Sequence, residues 1–324
     1  MKNLVFANLF QSQDSRYTLK TAFLVLMVPV LMLAMIIYSI WLLVVFNHSY
    51  FIANGMTVLE HSREDFMFFI MQSQMEYLPY VFLFFIIVFF LGMFLAYVVL
   101  RPFNQIQYMC DGLLAFSDTP VKVDGLNRQK IIIKLGQFLY DYHNAKKENK
   151  GQAVLPKDLE DIKGPALDKV FYFQFICIIL ILTAVTLFSV TLFTGQLYNS
   201  IVETAIVMLK APKGMALFLS SQKEIIELII YVPCVVSCIL YGLISHLIIA
   251  RIQGVTYAYV RDIKDVSKGN TSRRVFSRVD DPGHQAAEAI NKVLDYLHPE
   301  TVKKKSDPLS EAPSMGHPRP GMIP

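Results

Sequence analysis

The amino-acid sequence predicts an all-α integral membrane protein with four transmembrane helices. These are arranged as two tandem two-helix units, each followed by a parallel helical module. Three observations predict this class. The chain has 324 residues, of which 54% are hydrophobic and only 17% charged, a balance that is too apolar for an ordinary soluble protein. Four long runs are almost free of charge, and amphipathic segments follow the second and the fourth run. The order of these elements repeats at an offset of about 150 residues.

The four uncharged runs, at 21–46, 78–100, 170–193 and 228–250, are predicted to be the membrane helices. Each exceeds the roughly 20 residues that a helix needs to cross a hydrocarbon core of about 30 Å. The fourth run contains His246, and the other three contain no Asp, Glu, Lys, Arg or His. Because His246 lies close to the end of its run, we interpret it as an interfacial histidine, with a proton site as the alternative.

Lys and Arg are distributed unevenly along the chain. Residues 1–20 carry three, residues 101–169 carry eleven and residues 251–324 carry twelve, whereas the loops 47–77 and 194–227 carry one and three. Positive charge is retained on the cytoplasmic side of a membrane. Both termini and the middle segment are therefore expected to be cytoplasmic, and the two loops to face outward. The net charge of +4 follows from this topology, and no nucleic-acid partner is expected.

The second half of the chain repeats the plan of the first. Lys20 and Lys169 precede the first and third runs, and Arg101 and Arg251 close the second and fourth. Because each repeat contains two spans, the two repeats have the same orientation, unlike the inverted repeats of many transporters. The predicted order begins with a cytoplasmic segment (1–16), a transmembrane unit (17–100), a first module (101–142) and a linker (143–169). A second transmembrane unit (170–250), a second module (251–297) and a disordered tail (298–324) follow.

The first module begins where the second membrane run ends, at Arg101 and Pro102. Apolar residues then recur every three or four positions, which indicates one face of an amphipathic helix. This stripe consists of Phe103, Ile106, Met109, Cys110, Leu113 and Phe116. After a linker, a second helix is predicted from the stripe Ile131, Leu135, Phe138 and Tyr142.

The second module follows the fourth run and has the same plan. Its first stripe consists of Tyr259, Ile263 and Val266, and its linker runs through Gly269, Asn270 and Val275. Its second stripe consists of Ala287, Ile290, Leu294 and Leu297. Neither helix alone can bury its stripe, so four such helices are expected to form a parallel bundle of the coiled-coil type. Either the two modules of one chain or a homodimer could supply the four helices.

The second module resembles the HAMP domain, the signal-relay module of bacterial histidine kinases, chemoreceptors and membrane cyclases. Its segment 266–275, VSKGNTSRRV, is similar to the start of the family's connector, with Gly269-Asn270 where Gly-Asp is usual. Asp280, Asp281 and Gly283 are similar to the family's Asp-Glu-x-Gly corner. The resemblance implies a relay of conformational change, and a location in the bacterial cytoplasmic (inner) membrane.

The first module keeps the opening Arg101-Pro102-Phe103 and lacks the Gly-Asp element and the corner, so it is a divergent copy. Several of these residue types have a physical role at a hinge. Pro102 allows a kink or a new helix start at the junction, and Gly269 allows the chain to leave its helix through a left-handed conformation. Asp280 and Asp281 lie where carboxylates can cap the second helix and oppose its dipole.

The expected function is therefore a membrane signal relay or adaptor. No recognisable output domain follows the second module, so the output is expected to come from a separate protein partner, with membrane lipid as a further partner. One alternative is a structural membrane scaffold of a larger assembly. Another is a small transporter or channel lined by Gln174, Thr183 and Thr186. No phosphate loop, zinc spacing or nucleophile motif is present, so no enzyme activity, catalytic residue, metal or cofactor is expected.

Overall fold

Every regular element that the computed structural model describes is helical. The described residues are 13–53, 72, 75–115, 130–148, 154–165, 168–208, 221–278 and 281–300. In chain order the elements are α1 (Gln13–Ala53), a 3-10 turn (Met75–Tyr77), α2 (Leu78–Leu114), α3 (Lys130–Lys147), α4 (Lys157–Glu160), α5 (Lys169–Met208), α6 (Lys223–Ser267) and α7 (His284–Leu297). The predicted all-α fold class is confirmed.

Four of these helices, α1, α2, α5 and α6, are long and apolar enough to cross a membrane. They extend beyond the uncharged runs, because α2 contains 37 residues and α6 contains 45. At 1.5 Å per residue these two helices are about 55 Å and about 67 Å long. Each joins an apolar run to the first stripe of a module without a break in the helix. Pro102 lies inside α2, so no new helix starts at this residue.

The described contacts divide the chain into two compact units. The membrane unit comprises the described parts of 1–101, 167–253 and 280–282, and the module unit comprises the described parts of 102–166, 254–279 and 283–324. The module unit therefore takes one helical segment from each of α2, α3, α6 and α7. Side chains from both predicted modules lie in this single unit.

The membrane unit buries apolar side chains of all four long helices, with Val88 of α2 and Tyr241 of α6 among them. Met32, Ile36 and Ile40 from α1 form one buried cluster with side chains of α5. The α5 members of this cluster are Val190, Leu197 and Ile201. Large apolar side chains on other faces of these helices are exposed, among them Phe188, which has 68% of its surface accessible.

Polar pairs link the helices of the membrane unit. The side-chain amides of Asn47 and Gln222 donate to each other over 2.8 and 2.7 Å. The hydroxyls of Thr186 and Tyr241 lie 3.0 Å apart in a buried contact between α5 and α6. The hydroxyl of Thr183 donates to a carbonyl of its own helix, 2.8 Å away. Two of the three residues that could have lined a pore therefore have hydrogen-bond partners within the helices.

The core of the module unit contains the predicted apolar stripes, with one addition in α3. Ile132 is 2% exposed, whereas the predicted Ile131 is only partly buried. Ile131 and Ile132 precede Leu135 by four and three positions, and both spacings fit one helical face. Ile131 therefore lies at the partly buried edge of the predicted stripe, and Ile132 is its fully buried member.

Part of the predicted linker 143–169 is ordered against the module unit. The helical turn α4 buries Leu159, and Leu155 just before it is also buried. Two polar contacts hold the turn, from Lys134 to the carboxylate of Asp158 and from the Lys264 ammonium to the carbonyl of Glu160. The spacing Leu155-x-x-x-Leu159 was the only sequence signal for this element.

Candidate functional site at the second connector

The segment between α6 and α7, residues 268–283, is named the connector, and its described part leaves α6 through a Schellman motif. Gly269 has φ +99°, a left-handed conformation that glycine adopts without steric cost. Its N–H donates to the carbonyl of Val266 over 3.0 Å, and the N–H of Asn270 donates to the carbonyl of Asp265 over 3.1 Å. These two bonds satisfy carbonyls that a helix end otherwise leaves open. The left-handed exit predicted at Gly269 is present.

A buried carboxylate ties the connector back to α6. Asp262 is 0% exposed, and Arg273 from the connector donates to its Oδ1 from Nε over 3.0 Å and from Nη2 over 2.8 Å. The backbone N–H of Phe276 donates to Oδ2 over 3.2 Å, and Arg261 contributes a further pair of bonds to Oδ1. The hydrogen bonds and charge of Asp262 raise the pKa of the Arg273 guanidinium. A carboxylate is tolerated in this buried position because it is paired and hydrogen-bonded.

A second set of contacts ties the connector to α7. The side-chain amide of Asn291 accepts a bond from the N–H of Val275 over 2.8 Å and donates to the carbonyl of the same residue over 2.9 Å. One turn further along α7, Asp295 accepts a 2.7 Å bond from Nε of Arg274. With the Val275 side chain 4% exposed, the connector is held at its midpoint between α6 and α7.

The connector ends at a three-residue contact, named the corner cluster, which consists of Phe103, Tyr259 and Gly283. The rings of Phe103 and Tyr259 meet edge to face, with centroids 5.8 Å apart at 80°, and both side chains are 0% exposed. The hydroxyl of Tyr259 donates to the carbonyl of Gly283. A Cβ atom built on Gly283 would lie 2.5 Å from the Phe103 ring. The cluster thus joins α2, α6 and the start of α7.

Gly283 is also the N-cap of α7, with φ +80° and ψ +17°. A glycine has no side chain that could cap the helix, so neither predicted aspartate occupies the N-cap position. Asp281 lies two residues before the cap and is half-buried, and Asp280 lies outside the described residues. Asp281 lies just before α7, as predicted, and a role of its carboxylate at the free N–H groups of the helix stays a prediction. The positive φ of Gly283 and the close approach of Phe103 explain why the corner requires glycine there.

A further contact links α3 to the end of α7. Nε2 of His298 lies 2.8 Å from the Tyr142 hydroxyl, and Nδ1 lies 2.9 Å from the Lys146 ammonium. The rings of His143 and Tyr296 stack beside them, with centroids 6.2 Å apart. Burial, together with the positive charges of Lys146 and Arg274, lowers the pKa of His298. Burial raises the pKa of Tyr142.

The structure brings most of the predicted module residues into the module unit. Gly269 and Asn270 are exposed on the connector, Met109 is partly buried and Arg101 is assigned to the membrane unit. Met109 packs over Gly136 of α3, where an added Cβ would meet its sulfur at 2.8 Å. Phe116 lies outside the described residues. The remaining predicted residues of the module unit are all buried: Pro102, Phe103, Ile106, Leu113, Tyr259, Ile263, Val266, Val275, Gly283, Ile290, Leu294 and Leu297.

Sequence reasoning missed the polar residues of the site. Asp262 follows Tyr259 by three positions and precedes Val266 by four, a spacing that places it on the buried face of α6. Asn291 and His298 each follow a buried stripe residue directly, which carries no comparable signal. Charged and amide side chains are usually exposed to solvent. Only the tertiary partners of these three residues distinguish them from surface residues.

The arrangement holds the described part of the connector between α6 and α7. Within the described ranges, no group of three or more His, Cys, Asp or Glu residues is placed to hold a metal ion. A comparison of the chain with protein-family models, with curated proteins and with solved structures finds no match.

Proposed function

We propose that this protein is a membrane-embedded signal relay or adaptor without catalysis of its own. A conformational change at its apolar helices would pass through the module unit to a separate protein partner. The observation that carries this proposal is the corner cluster. It joins Phe103 on α2 and Tyr259 on α6 to Gly283, the residue from which α7 starts.

The two input helices support this role because they are continuous. α2 and α6 each extend from an apolar run to a module stripe as one helix, so a rotation or shift of the apolar part is not absorbed by a break. Phe103 and Tyr259 would change their mutual packing with any such movement. Gly283 would respond, because it contacts the first ring and accepts a hydrogen bond from the second.

The module unit supports the role because its connector is held by a small number of separable contacts. Asp262, Asn291 and the corner cluster each hold one part of the connector. A two-state element needs a bias of only a few kcal/mol to change its preferred packing. Losing one contact and gaining another would supply a bias of that size.

The membrane context of the proposal rests on composition. Four helices are long and apolar enough to span a membrane, and their exposed aromatic and aliphatic side chains, such as Phe82 and Leu243, suit contact with lipid. The concentration of Lys and Arg at 1–20, 101–169 and 251–324 supports cytoplasmic termini. With the resemblance of the second module to HAMP domains, this favours a bacterial cytoplasmic membrane.

The test is a pull-down of the N-terminally tagged protein in mild detergent, compared between the wild type and three variants. Gly283→Ala strains the corner cluster, and Tyr259→Phe removes its hydrogen bond while keeping the ring. The matched control is Gly254→Ala, since Gly254 lies in α6 with no atom within 4 Å of an added Cβ. We expect the wild type and the control to recover a signalling partner, and the two corner variants to recover it in altered amount or activity state.

The scaffold alternative makes a different prediction for the same experiment. A scaffold would recover a fixed, stoichiometric set of structural membrane proteins from all forms, because its modules would serve only as contact surfaces. Equal recovery and equal partner activity with Gly283→Ala, Tyr259→Phe and Gly254→Ala would reject the relay.

A further inference from the structure

A cavity of about 450 Å³ lies where α3, the connector and the end of α7 meet. Its lining includes two lysines, two histidines and two hydroxyl groups against a single carboxylate: Lys146, Lys147, His143, His298, Thr271, Tyr296 and Glu300. This volume falls in the range of ordinary small-molecule sites. The balance of charge favours an anion over a neutral or cationic ligand.

We propose that this cavity binds a small oxyanion of the phosphate class, and that His298 takes up a proton from solvent when the anion binds. Lys146 and Lys147 supply the positive charge, and Thr271 supplies a hydroxyl donor. The stacked rings of His143 and Tyr296 form an aromatic wall that suits an organic group attached to the phosphate. This site is separate from the corner cluster and does not depend on the relay function.

The hydrogen bonds of His298 to Lys146 and Tyr142 indicate which of its ring nitrogens carries the proton. An ammonium group can only donate, so the Lys146 contact at 2.9 Å requires a lone pair on Nδ1. The proton of the neutral ring is then on Nε2, from which it is donated to the Tyr142 hydroxyl at 2.8 Å. His298 is therefore neutral while Lys146 points at it.

An anion in the cavity would reverse this state. Lys146 would turn from Nδ1 to the anion, because a charge-assisted bond to an oxyanion is stronger than one to a neutral ring. Nδ1 would then be open to a proton, and the anion would stabilise the resulting imidazolium. The other groups facing His298 are Arg274 and Glu300, whose charges act in opposite directions. Burial is the largest cause that lowers the pKa of His298, and the charge of Lys146 is the next, so turning Lys146 to a bound anion removes one cause that keeps the ring neutral.

The experiment is equilibrium dialysis of radiolabelled pyrophosphate against the full-length protein in nanodiscs of a zwitterionic phospholipid at fixed ionic strength. We expect saturable binding of one pyrophosphate per chain. Lys146→Gln and Lys147→Gln should each weaken it about tenfold or more, as expected when a charged hydrogen-bond partner is lost. The matched control is Lys292→Gln, which removes an exposed lysine of α7 outside the cavity lining and should leave the Kd within about twofold.

Proton uptake is tested with sulfate as the competitor, because sulfate remains divalent between pH 6 and pH 8. Its inhibition constant is compared rather than the midpoint of competition, because pyrophosphate itself changes charge over this range. We expect sulfate to compete several-fold better at pH 6 than at pH 8 with the wild type, and equally at both with His298→Gln. Circular dichroism melts of each variant identify any that fail to fold. A second arm uses nanodiscs with anionic lipid, where weakened pyrophosphate binding would identify a lipid headgroup as the natural source of the phosphate.

Two results would overturn the proposal. One is the absence of saturable pyrophosphate binding in the zwitterionic nanodiscs together with no effect of anionic lipid. The other is an equal loss of binding in Lys292→Gln and Lys146→Gln, since that would attribute the binding to net charge. Sulfate competition that is independent of pH in the wild type would reject the role of His298.

Discussion

At the scale of single residues, Gly283 and Asp262 are constrained by their surroundings in ways that their neighbours are not. Gly283 combines a positive φ with a Phe103 ring that lies 2.5 Å from where a Cβ atom would be. Asp262 is fully buried and accepts bonds from Arg273 and a backbone N–H of the connector. The neighbouring Arg261 binds the same carboxylate but is 46% exposed. Substitutions of Gly283 and Asp262 can therefore be compared with substitutions of less constrained residues nearby.

We expect Gly283→Ala to destabilise the start of α7 by about 2 kcal/mol or more. A left-handed conformation costs a non-glycine residue about 1–2 kcal/mol, and the added Cβ also displaces the Phe103 ring. Gly254→Ala, in open space within α6, should be neutral or stabilise by about 0.5–1 kcal/mol. Amide hydrogen exchange of residues 284–297 compares the stability of α7 in the two variants. Equal exchange in the two variants would contradict the geometry of the corner cluster.

We expect Asp262→Ala to release the connector from α6, at a cost of about 1–3 kcal/mol. Its removal leaves the N–H of Phe276 without its acceptor and the Arg273 guanidinium without its main partner. A double-mutant cycle with Arg273→Ala should show stronger coupling to Asp262 than a cycle with Arg261→Ala. Similar coupling in both cycles would mean that the connector is held elsewhere.

At the scale of elements, two polar contacts of α7, besides the corner cluster and the Arg274–Asp295 pair, link it to the connector and to α3. Asn291 binds both backbone groups of Val275 in the connector. His298, directly after the helix, binds Tyr142 and Lys146 of α3. The first contact links α7 to its own module, and the second links it to the other module. They can therefore be perturbed independently.

A graded series at Asn291 tests the first contact. Asn291→Asp keeps an acceptor for the N–H of Val275 and loses the donor to its carbonyl, whereas Asn291→Ala loses both. We expect the protection of the Val275 amide against hydrogen exchange to fall in the order Asn, Asp, Ala, with a total loss of about 1–3 kcal/mol. Lys292→Ala is the control on the neighbouring exposed position. An Ala variant as protected as the wild type would rule out the clamp.

The pH dependence of stability tests the second contact. The pKa of His298 is lowered from 6.5 in the folded state, so the unfolded chain protonates at a higher pH than the folded one. Stability from this group is therefore complete above about pH 6.5 and decreases as the pH falls below that value. We expect circular dichroism melts in chloride buffers to show a larger loss between pH 8 and pH 5 in the wild type than in His298→Gln. His143 and His284 are present in both proteins and cancel in the comparison.

At the scale of the whole molecule, the module unit combines helical segments from both halves of one chain. The two halves differ in sequence, because the first lacks counterparts of Gly269-Asn270 and of the corner at Gly283. The first half contributes Phe103, Tyr142 and Lys146 as partners for the second. We therefore propose pairing of the two modules within one chain, in which the divergent copy supports the more regular one.

This pairing predicts a cross-link within one chain. In a protein with its four cysteines replaced, His143→Cys and Tyr296→Cys place thiols where two stacked rings now lie. We expect a short bismaleimide to link them in a product with the 37.0 kDa mass of one chain. A mixture of the two single-cysteine proteins is the control and should give no dimer. A dimeric product from that mixture would show that the modules pair between chains.

The sequence by itself determined the four apolar helices, the all-α class and nearly every residue of the apolar stripes. These features depend on hydropathy and helical period, which are local properties of the chain. The left-handed glycine at 269 was also predictable, because few residue types tolerate that conformation at a helix end.

Only the tertiary structure decided which side chains meet. It buries the charged Asp262 while Phe276, an apolar residue of the connector, remains 68% exposed, an inversion that no hydropathy pattern contains. It also brings Phe103 into contact with Gly283, 180 positions further along the sequence. In the same way it brings Tyr142 into contact with His298, 156 positions further along. The environment of a polar group depends on partners brought together by folding, and a buried charge is stable only where such partners exist. Local pattern therefore predicts the helices, and long-range contact decides how the connector is held.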